Sequence, residues 1–492
     1  MEWVMKQFVL KQFVFIVMFF CILLSSTVKA DSSSYKTDDD ADSLSLMALE
    51  DLMQVEIETA GKVSEKIGKI PASVVLITRK DIERYGYTTF DDILQHVSGL
   101  YRLDFYSIAG PAYGVRGHLS PGTTNRDIII LVNGIRQIND YDTSYYISNI
   151  AVPVEAIDRV EIIRGPESAV YGSGAFFGVI NIITNEVVQE KGSASYVSFS
   201  GGTPHANRMF GRTSYINENG KVVINAGSSQ DGGLDVPYSR LESKFMGDEA
   251  GFTTDGRLEN SQRYFELSGN YKKISFDLTS SATDYEGFLV NPTVRSGSET
   301  TLESTRLRMG YKNNLSEKFY LNSKLTYIYN KSHGDYDSMF VNDPWNMQQE
   351  ESTAYEGEIT LQWKASEYFD ITNGIYFRYL PEMSSISNIP SLSQVPSLQK
   401  ATQRLQSDEA LTNRSVFSQL NYYPNEHWKF VAGLMLEQIL GYGVFAEYGR
   451  NPVEYRSFTP YYEDQDLSVI PRLAAIYTPN ENHIFKFMTV PS

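Results

Sequence analysis

The residues of this chain with chemistry to offer are arginines, glutamates and tyrosines, and their spacing suits gripping and stacking rather than bond-breaking. Arg116 lies in GVRG and Arg164 in IIRGP, each at the end of an extended run beside a glycine. A guanidinium placed there can grip a carboxylate with two parallel hydrogen bonds, strong where water is scarce yet reversible. Glu266, Glu356 and Glu358, further along the chain, are candidate partners. The other reading is that both arginines serve capping or backbone contacts inside their own domain. Two tyrosine-rich runs, DFYSIAGPAY and YDTSYY, offer Tyr106, Tyr113, Tyr141, Tyr145 and Tyr146 as rings able to stack on a planar or hydrophobic ligand such as a metal chelate. Exposed loops use tyrosine in the same way. His118, His205, His333 and His483 are scattered without ligand spacing, so no metal or haem centre is expected. Asp231 with Asp235, and Asp335 with Asp337, offer oxygen ligands for calcium, a pattern that solvated loop acids share. With no nucleophile elbow, phosphate-cradling loop, zinc signature or catalytic carboxylate pair, neither a catalytic residue nor a cofactor is expected.

The elements that must position these residues have two textures. From Ile67 to Asn185 they are short and mixed. A strand at 72–77 runs into a helix capped by Thr78 and Asp81 and stopped by Gly86. A second helix starts at Thr88 or Thr89, carries Ile93, Leu94 and Val97 on one face, and is expected to end at Gly99. Residues 127–132 form a buried strand, and Asn133-Gly134 is the strongest hairpin signal in the chain. Together these elements predict a small α+β domain.

From residue 193 onward the helical period disappears. Tyr355, Gly357, Ile359, Leu361 and Trp363 alternate with Glu356, Glu358, Thr360, Gln362 and Lys364, and residues 369–379 repeat the theme. Such dyads mark the strands of a transmembrane barrel, although any one of them would also suit a soluble sandwich. Tight turns at 217–220, 270–272, 313–317, 365–368, 424–427 and 479–482 alternate with long connections, as the two ends of a barrel require and sandwiches do not. Composition agrees. Aromatic residues make up 13% of the chain, 33 of them tyrosines, which suits girdles at two membrane interfaces. A formal charge of −17 makes nucleic acid an improbable partner. Residues 1–30 have the basic start, apolar run and small-residue end of a signal peptide, and contain the single cysteine, Cys21. The Ser/Asp-rich residues 31–43 are expected to be a flexible tether.

Two long motifs carry a family resemblance. GVRGHLSPGTTNRDIIILVNGIRQ (Gly114 to Gln137) and IDRVEIIRGPESAVYGSGAFFGVINIITN (Ile157 to Asn185), in this order and spacing, resemble the plug domain of TonB-dependent outer-membrane receptors. The resemblance is close from Leu44 to Asn185 and is carried only by pattern beyond. It implies a plug at 63–185 followed, at 193–492, by a transmembrane antiparallel β-barrel. The strand pattern yields about 13 strands where the family has about 22, so an incomplete barrel and a fragmentary chain are expected; a closed barrel of 12 or 14 strands is the rival. By the same resemblance, residues 44–62 carry the TonB box, placed at Gln54, Val55, Glu56, Ile57, Glu58, Thr59 and Ala60, whose alternation suits strand addition to a partner's sheet edge. The alternative is the plug's own first strand. Arg116 and Arg164 would then lock the plug to Glu266, Glu356 and Glu358 of the wall. The implied function is energy-coupled uptake of a scarce nutrient, a ferric siderophore or cobalamin-like chelate, across the bacterial outer membrane. Its partners would be TonB with its energising complex, the ligand and outer-membrane lipid. A passive or ligand-gated porin, or a non-functional receptor fragment, is the alternative.

Overall fold

The computed structural model describes residues 55–58, 62–103, 111–115, 117–118, 125–140, 144–147, 150–165, 167–172, 174–185, 191–203, 206–233, 259–287, 298–336, 346–389, 401–407, 411–440, 444–450, 454–458, 466–480 and 483–489. The expected signal peptide, tether and first half of 44–62 lie outside them.

The first domain contains β1 (Glu56–Ile57), β2 (Glu65–Lys66), β3 (Ser73–Thr78), α1 (Arg79–Tyr85), α2 (Phe90–Gln95), β4 (Leu100–Leu103), β5 (Ala112–Val115), β6 (Ile128–Val132), β7 (Ile135–Arg136), β8 (Arg159–Arg164), α3 (Ser168–Tyr171) and β9 (Gly178–Ile183). One five-stranded sheet in the order β3-β8-β9-β6-β7 organises it, antiparallel except for the β6–β9 pair. IIILV of β6 and GVINII of β9 are buried along their whole length, as continuous apolar runs demand. The Thr78 backbone donates to the Asp81 carboxylate at 2.8 Å and the Asp81 N–H to the Thr78 hydroxyl at 3.3 Å, the reciprocal cap that opens α1. Helix α2 opens likewise on Thr89 and Asp92 but is shorter than expected. The His96 ring takes the Asp92 carbonyl at 2.8 Å, and the chain turns there while Val97 still reaches the core. Asn133 and Gly134 both adopt positive φ, 49° and 76°, which closes the two-residue β6–β7 hairpin.

The second region is a 16-stranded antiparallel sheet. Its strands are β10 (Gly192–Gly202), β11 (Ala206–Asn217), β12 (Gly220–Asp231), β13 (Asn260–Tyr271), β14 (Ile274–Gly287), β15 (Ser298–Asn314), β16 (Phe319–Tyr336), β17 (Asn346–Lys364), β18 (Phe369–Ile389), β19 (Ala401–Ser407), β20 (Leu411–Asn425), β21 (Trp428–Leu440), β22 (Val444–Arg450), β23 (Glu454–Phe458), β24 (Ser468–Asn480) and β25 (His483–Thr489). Apart from β19, β22 and β23, each strand pairs with the next along one path, and the tight turns fall where the sequence places them. Edge strands β10 and β25 do not pair with each other among the described residues. The sheet is therefore open, as expected of an incomplete barrel.

Its two faces are inverted relative to a soluble protein. Glu266 and Thr360 are 0% exposed, whereas Leu325 is 69% and Ile375 57% exposed. Rings line the outer face at the tight-turn end, with Phe319 stacked on Trp363, Phe369 on Tyr422, and Trp428 on both Phe430 and Tyr477. A sandwich would bury such a surface, whereas a lipid-facing barrel wall leaves it outside. Among the described residues no helix is long and apolar enough to cross a membrane.

Candidate functional site

The first domain packs on the polar face of the wall, and cations reaching in from the wall dominate the seam. Arg212 of β11 donates to the Asp158 carboxylate at 2.6 Å and to the Ala156 and Thr184 carbonyls at 2.7 Å. Arg308 of β15 takes the carbonyls of Asn133 and Gly134 at 2.7 and 2.9 Å. Arg378 of β18 bridges Asp140 of the domain, at 2.5 Å, and Glu356 of the wall, at 2.9 Å. Arg472 of β24 grips Glu167 with parallel bonds of 2.9 and 3.0 Å and adds the Pro71 carbonyl at 3.0 Å. Burial pushes the Glu167 carboxyl up to about 7, against the pull of Arg472. Strand ends and turns present carbonyls with no partner in their own sheet, and a guanidinium satisfies several at once.

This arrangement corrects the expected lock. Arg116 lies outside the described residues. Arg164 turns into its own domain, donating to the Ser98 carbonyl and, at 2.8 Å, to the Ser73 hydroxyl. The three glutamates hold other partners. Glu266 does join the two bodies, but through Asn133 at 3.1 Å and the Thr184 hydroxyl at 2.8 Å. Glu356 holds Arg378 and the Tyr376 hydroxyl, the latter at 3.1 Å. Glu358 takes the Lys62 ammonium at 2.5 Å. Most of the seam's arginine therefore comes from the wall. Inward-facing Arg378 was legible in the strand alternation; what was missing was the knowledge of what it would meet.

At the tight-turn end the seam continues with lysines. The segment expected to hold the TonB box is described only at Val55 to Glu58, while Gln54, Thr59 and Ala60 lie outside. Glu56–Ile57 pairs antiparallel with Glu65–Lys66, and the Ile67 N–H donates to the Val55 carbonyl at 2.9 Å. Ile57 is buried in the domain core. Lys312 reaches Glu58 at 2.5 Å, Lys429 reaches Glu65 and, at 3.0 Å, the Lys69 carbonyl, and Lys486 takes the carbonyls of Ile67 and Ala72 at 3.1 and 3.0 Å. Lys62, held by Glu358, also lies over the rings of Tyr171, Tyr376 and Phe417 at 5.2, 5.5 and 5.4 Å. This stretch is thus a hairpin clamped to the wall.

The opposite end carries a cleft. Residues Gln137 to Asp140 of the first domain border, with residues of β14 to β18, a solvent-open cleft of about 60 Å³. That is well below the roughly 300–1,000 Å³ of a whole small-molecule site, so the cleft has room for one functional group of a ligand. Asp140 at its floor accepts from Arg378, Ser352 and Asn330 at 2.5, 2.6 and 3.2 Å.

The expected ligand tyrosines are not its lining. Tyr106 and Tyr141 lie outside the described residues. Tyr113 and Tyr145 are 3% and 2% exposed and belong to the core, which removes them as stacking surfaces. The Tyr113 hydroxyl donates to the Asp91 carboxylate at 2.5 Å, and burial with that acid raises its pKa far above the phenol's ordinary value. The Tyr145 N–H bonds the Asn125 carbonyl at 3.2 Å, and burial raises its phenol as well. Tyr146 is half-buried. Ring-rich composition did not distinguish packing from recognition; only burial does.

Comparison with known proteins agrees with this geometry. Residues 66–179 match the family described as TonB-dependent Receptor Plug Domain. The chain is similar to the vitamin B12 transporter BtuB of Vibrio cholerae, 29% identical over 217 residues, which cover 43% of this chain and 33% of that protein. In fold it resembles the ferric yersiniabactin uptake receptor FyuA of Yersinia pestis, with a TM-score of 0.65, 13% identity, and 83% of this chain and 62% of the other covered. It also resembles the ferripyoverdine receptor of the outer membrane of Pseudomonas aeruginosa, with a TM-score of 0.59, 13% identity, and 87% and 57% covered. The chain thus spans about a third of the transporter and about three fifths of the solved receptors. The resemblance seen in the two long motifs is borne out: the first domain is a plug of the TonB-dependent receptor kind, and the sheet is a wall of the same fold.

Proposed function

We propose that this chain is a TonB-dependent receptor of the bacterial outer membrane, binding a scarce chelated nutrient at the long-loop face and importing it with energy delivered through its N-terminal hairpin. The observation that carries the reading is the division of the seam. A plug with its own apolar core fills the polar face of a lipid-facing wall, with a solvent-open cleft at one end and the clamped Val55 to Glu58 hairpin at the other. Ferric siderophores and cobalamin are the candidate ligands, since the similar proteins are named for those cargoes. TonB is the expected partner. Strand addition needs a free edge, so β1 must leave β2 and Glu58 must leave Lys312 before a partner strand can pair there. The chemistry is binding and transport, with no bond of the ligand made or broken.

Uptake of radiolabelled ferric siderophores and cyanocobalamin by cells carrying the protein tests this. Saturable uptake that stops when the proton gradient is collapsed is expected, together with its loss in Ile57→Pro. Non-saturating uptake indifferent to the gradient would replace the proposal with the porin alternative.

A further inference from the structure

Among the described residues, arginines reaching inward from the wall are matched, with one exception. Arg208, Arg212, Arg308, Arg378 and Arg472 each meet a carboxylate or carbonyl of the plug. Arg306 of β15 does neither. It is 7% exposed and lines the cleft together with Asp140. Among the described residues its guanidinium makes one hydrogen bond, a long one of 3.3 Å from Nη2 to the Asn330 side-chain oxygen, and its Nε is buried without a partner. A guanidinium carries five N–H donors in a fixed fork, and burial leaves water a poor substitute for a fixed acceptor.

The other inward groups around the cleft do not offer that acceptor. Ser281, Thr283, Ser304, Ser332 and Ser352 are neutral hydroxyls. Asp140 is engaged by Arg378, Ser352 and Asn330, while Glu350 accepts from Asn139 at 3.3 Å. Glu303, Lys331 and Glu351 lie one residue out of phase with the inward Arg306, Asn330 and Ser352, and the Glu303↔Lys331 and Lys331↔Glu351 register pairs put all three on one face of the strands. The cleft is therefore lined by hydroxyls, amides and the already engaged carboxylates of Asp140 and Glu350, with one buried, under-used cation, Arg306.

We infer that Arg306 is the specificity-determining residue of this cleft and that the ligand presents an anionic oxygen group to it, a carboxylate borne on a metal chelate. This rests on the receptor reading above and narrows it, since an uncharged chelate would leave the fork as unmatched as it is now. A planar carboxylate suits the fork in a way that a neutral amide does not, and charge-assisted hydrogen bonds at a desolvated site carry about 10- to 100-fold in affinity.

The test compares two chelates of one metal. Binding of ferric citrate, an anionic carboxylate chelate, and of ferrichrome, an uncharged hydroxamate chelate, is measured by tryptophan fluorescence quenching on the detergent-solubilised protein at fixed ionic strength. Ferric citrate is expected to bind at least tenfold more tightly than ferrichrome. Arg306→Gln is expected to abolish that preference with ferrichrome binding unchanged, and Arg306→Lys to keep part of it; thermal unfolding of both variants establishes that the fold is intact. Equal affinity for the two chelates, or a preference that survives Arg306→Gln, overturns the assignment to Arg306 and leaves the receptor reading standing. Failure of both chelates to bind the wild-type protein overturns this inference, while the receptor reading stands or falls by the uptake experiment above.

Discussion

The plug's interior and the plug's boundary are held by opposite physics. Inside, Ile129, Ile130, Val160, Ile162, Val179 and Ile182 are at most 1% exposed and belong to one large apolar cluster. At the boundary ion pairs and charge-assisted hydrogen bonds run from Arg472–Glu167 at one side to Lys312–Glu58 at the other, beside smaller apolar contacts such as Ile135 on Ile328, Ala354 and Leu380. Apolar burial is lost all at once when a core opens, because a close-packed interior has no intermediate separation. Polar contacts can be exchanged one at a time, for water or for another partner. The proposed transport, in which the plug stays folded while it shifts against the wall, would use this contrast between an apolar inside and a polar, replaceable seam.

The sharpest way to break the comparison is Arg472→Ala. It leaves Glu167 buried without its cation, and a loss of about 3–5 kcal/mol is expected, read as a fall in the urea midpoint and largely restored by adding Glu167→Gln. An unchanged midpoint would mean that the seam carries no stability. Ile162→Ala is expected to cost roughly 2–5 kcal/mol through transfer and cavity terms. Amide hydrogen exchange should place that loss in β3, β6, β8 and β9 and leave the wall strands protected; faster exchange across the wall would show that the two regions are not separable.

Acidity sharpens the contrast further. The Glu167 carboxyl stands at about 7 in the folded protein against an ordinary 4.5, so the folded state holds this proton more tightly than the unfolded chain does. Its stabilising share is complete below about 4.5 and is lost as pH rises through about 7. The thermal midpoint should accordingly decline across that window, and Glu167→Gln should flatten that part of the profile. Smaller effects separate the two bodies. Thr78→Ala, which removes a cap internal to the plug, should cost about 1 kcal/mol and speed exchange in α1 alone. Lys312→Met should cost about 0.2–1 kcal/mol, since that pair is partly exposed, and show mainly as faster exchange at Ile57.

Much of the plug was legible in the sequence because its signals are local. Thr78 with Asp81, Gly86, and Asn133-Gly134 each specify a backbone conformation within four residues, and the structure carries all three. The wall was legible by its period of two: Tyr355, Ile359 and Trp363 are exposed while Glu356 and Thr360 are buried. The seam was not legible in the same way. The reading looked for its arginines in the plug's glycine motifs, yet Arg164 spends its side chain at home and Arg212, Arg308, Arg378 and Arg472 come from strands dozens to hundreds of residues away. Tyr113 and Tyr145 failed for a related reason, because a tyrosine's type is the same whether its ring faces ligand or core.

The sequence by itself determined that a small mixed domain precedes a long antiparallel sheet with one lipid-facing side, since capping, turn chemistry and alternation are set by neighbours within a few residues. Tertiary structure alone decided which charge meets which: that Lys62 would find Glu358 and Glu167 would find Arg472, and that Arg306 would line the cleft with, among the described residues, a single long hydrogen bond. A strand's pattern states that a side chain points inward. What stands opposite depends on how one rigid body docks against another, and no local period encodes that.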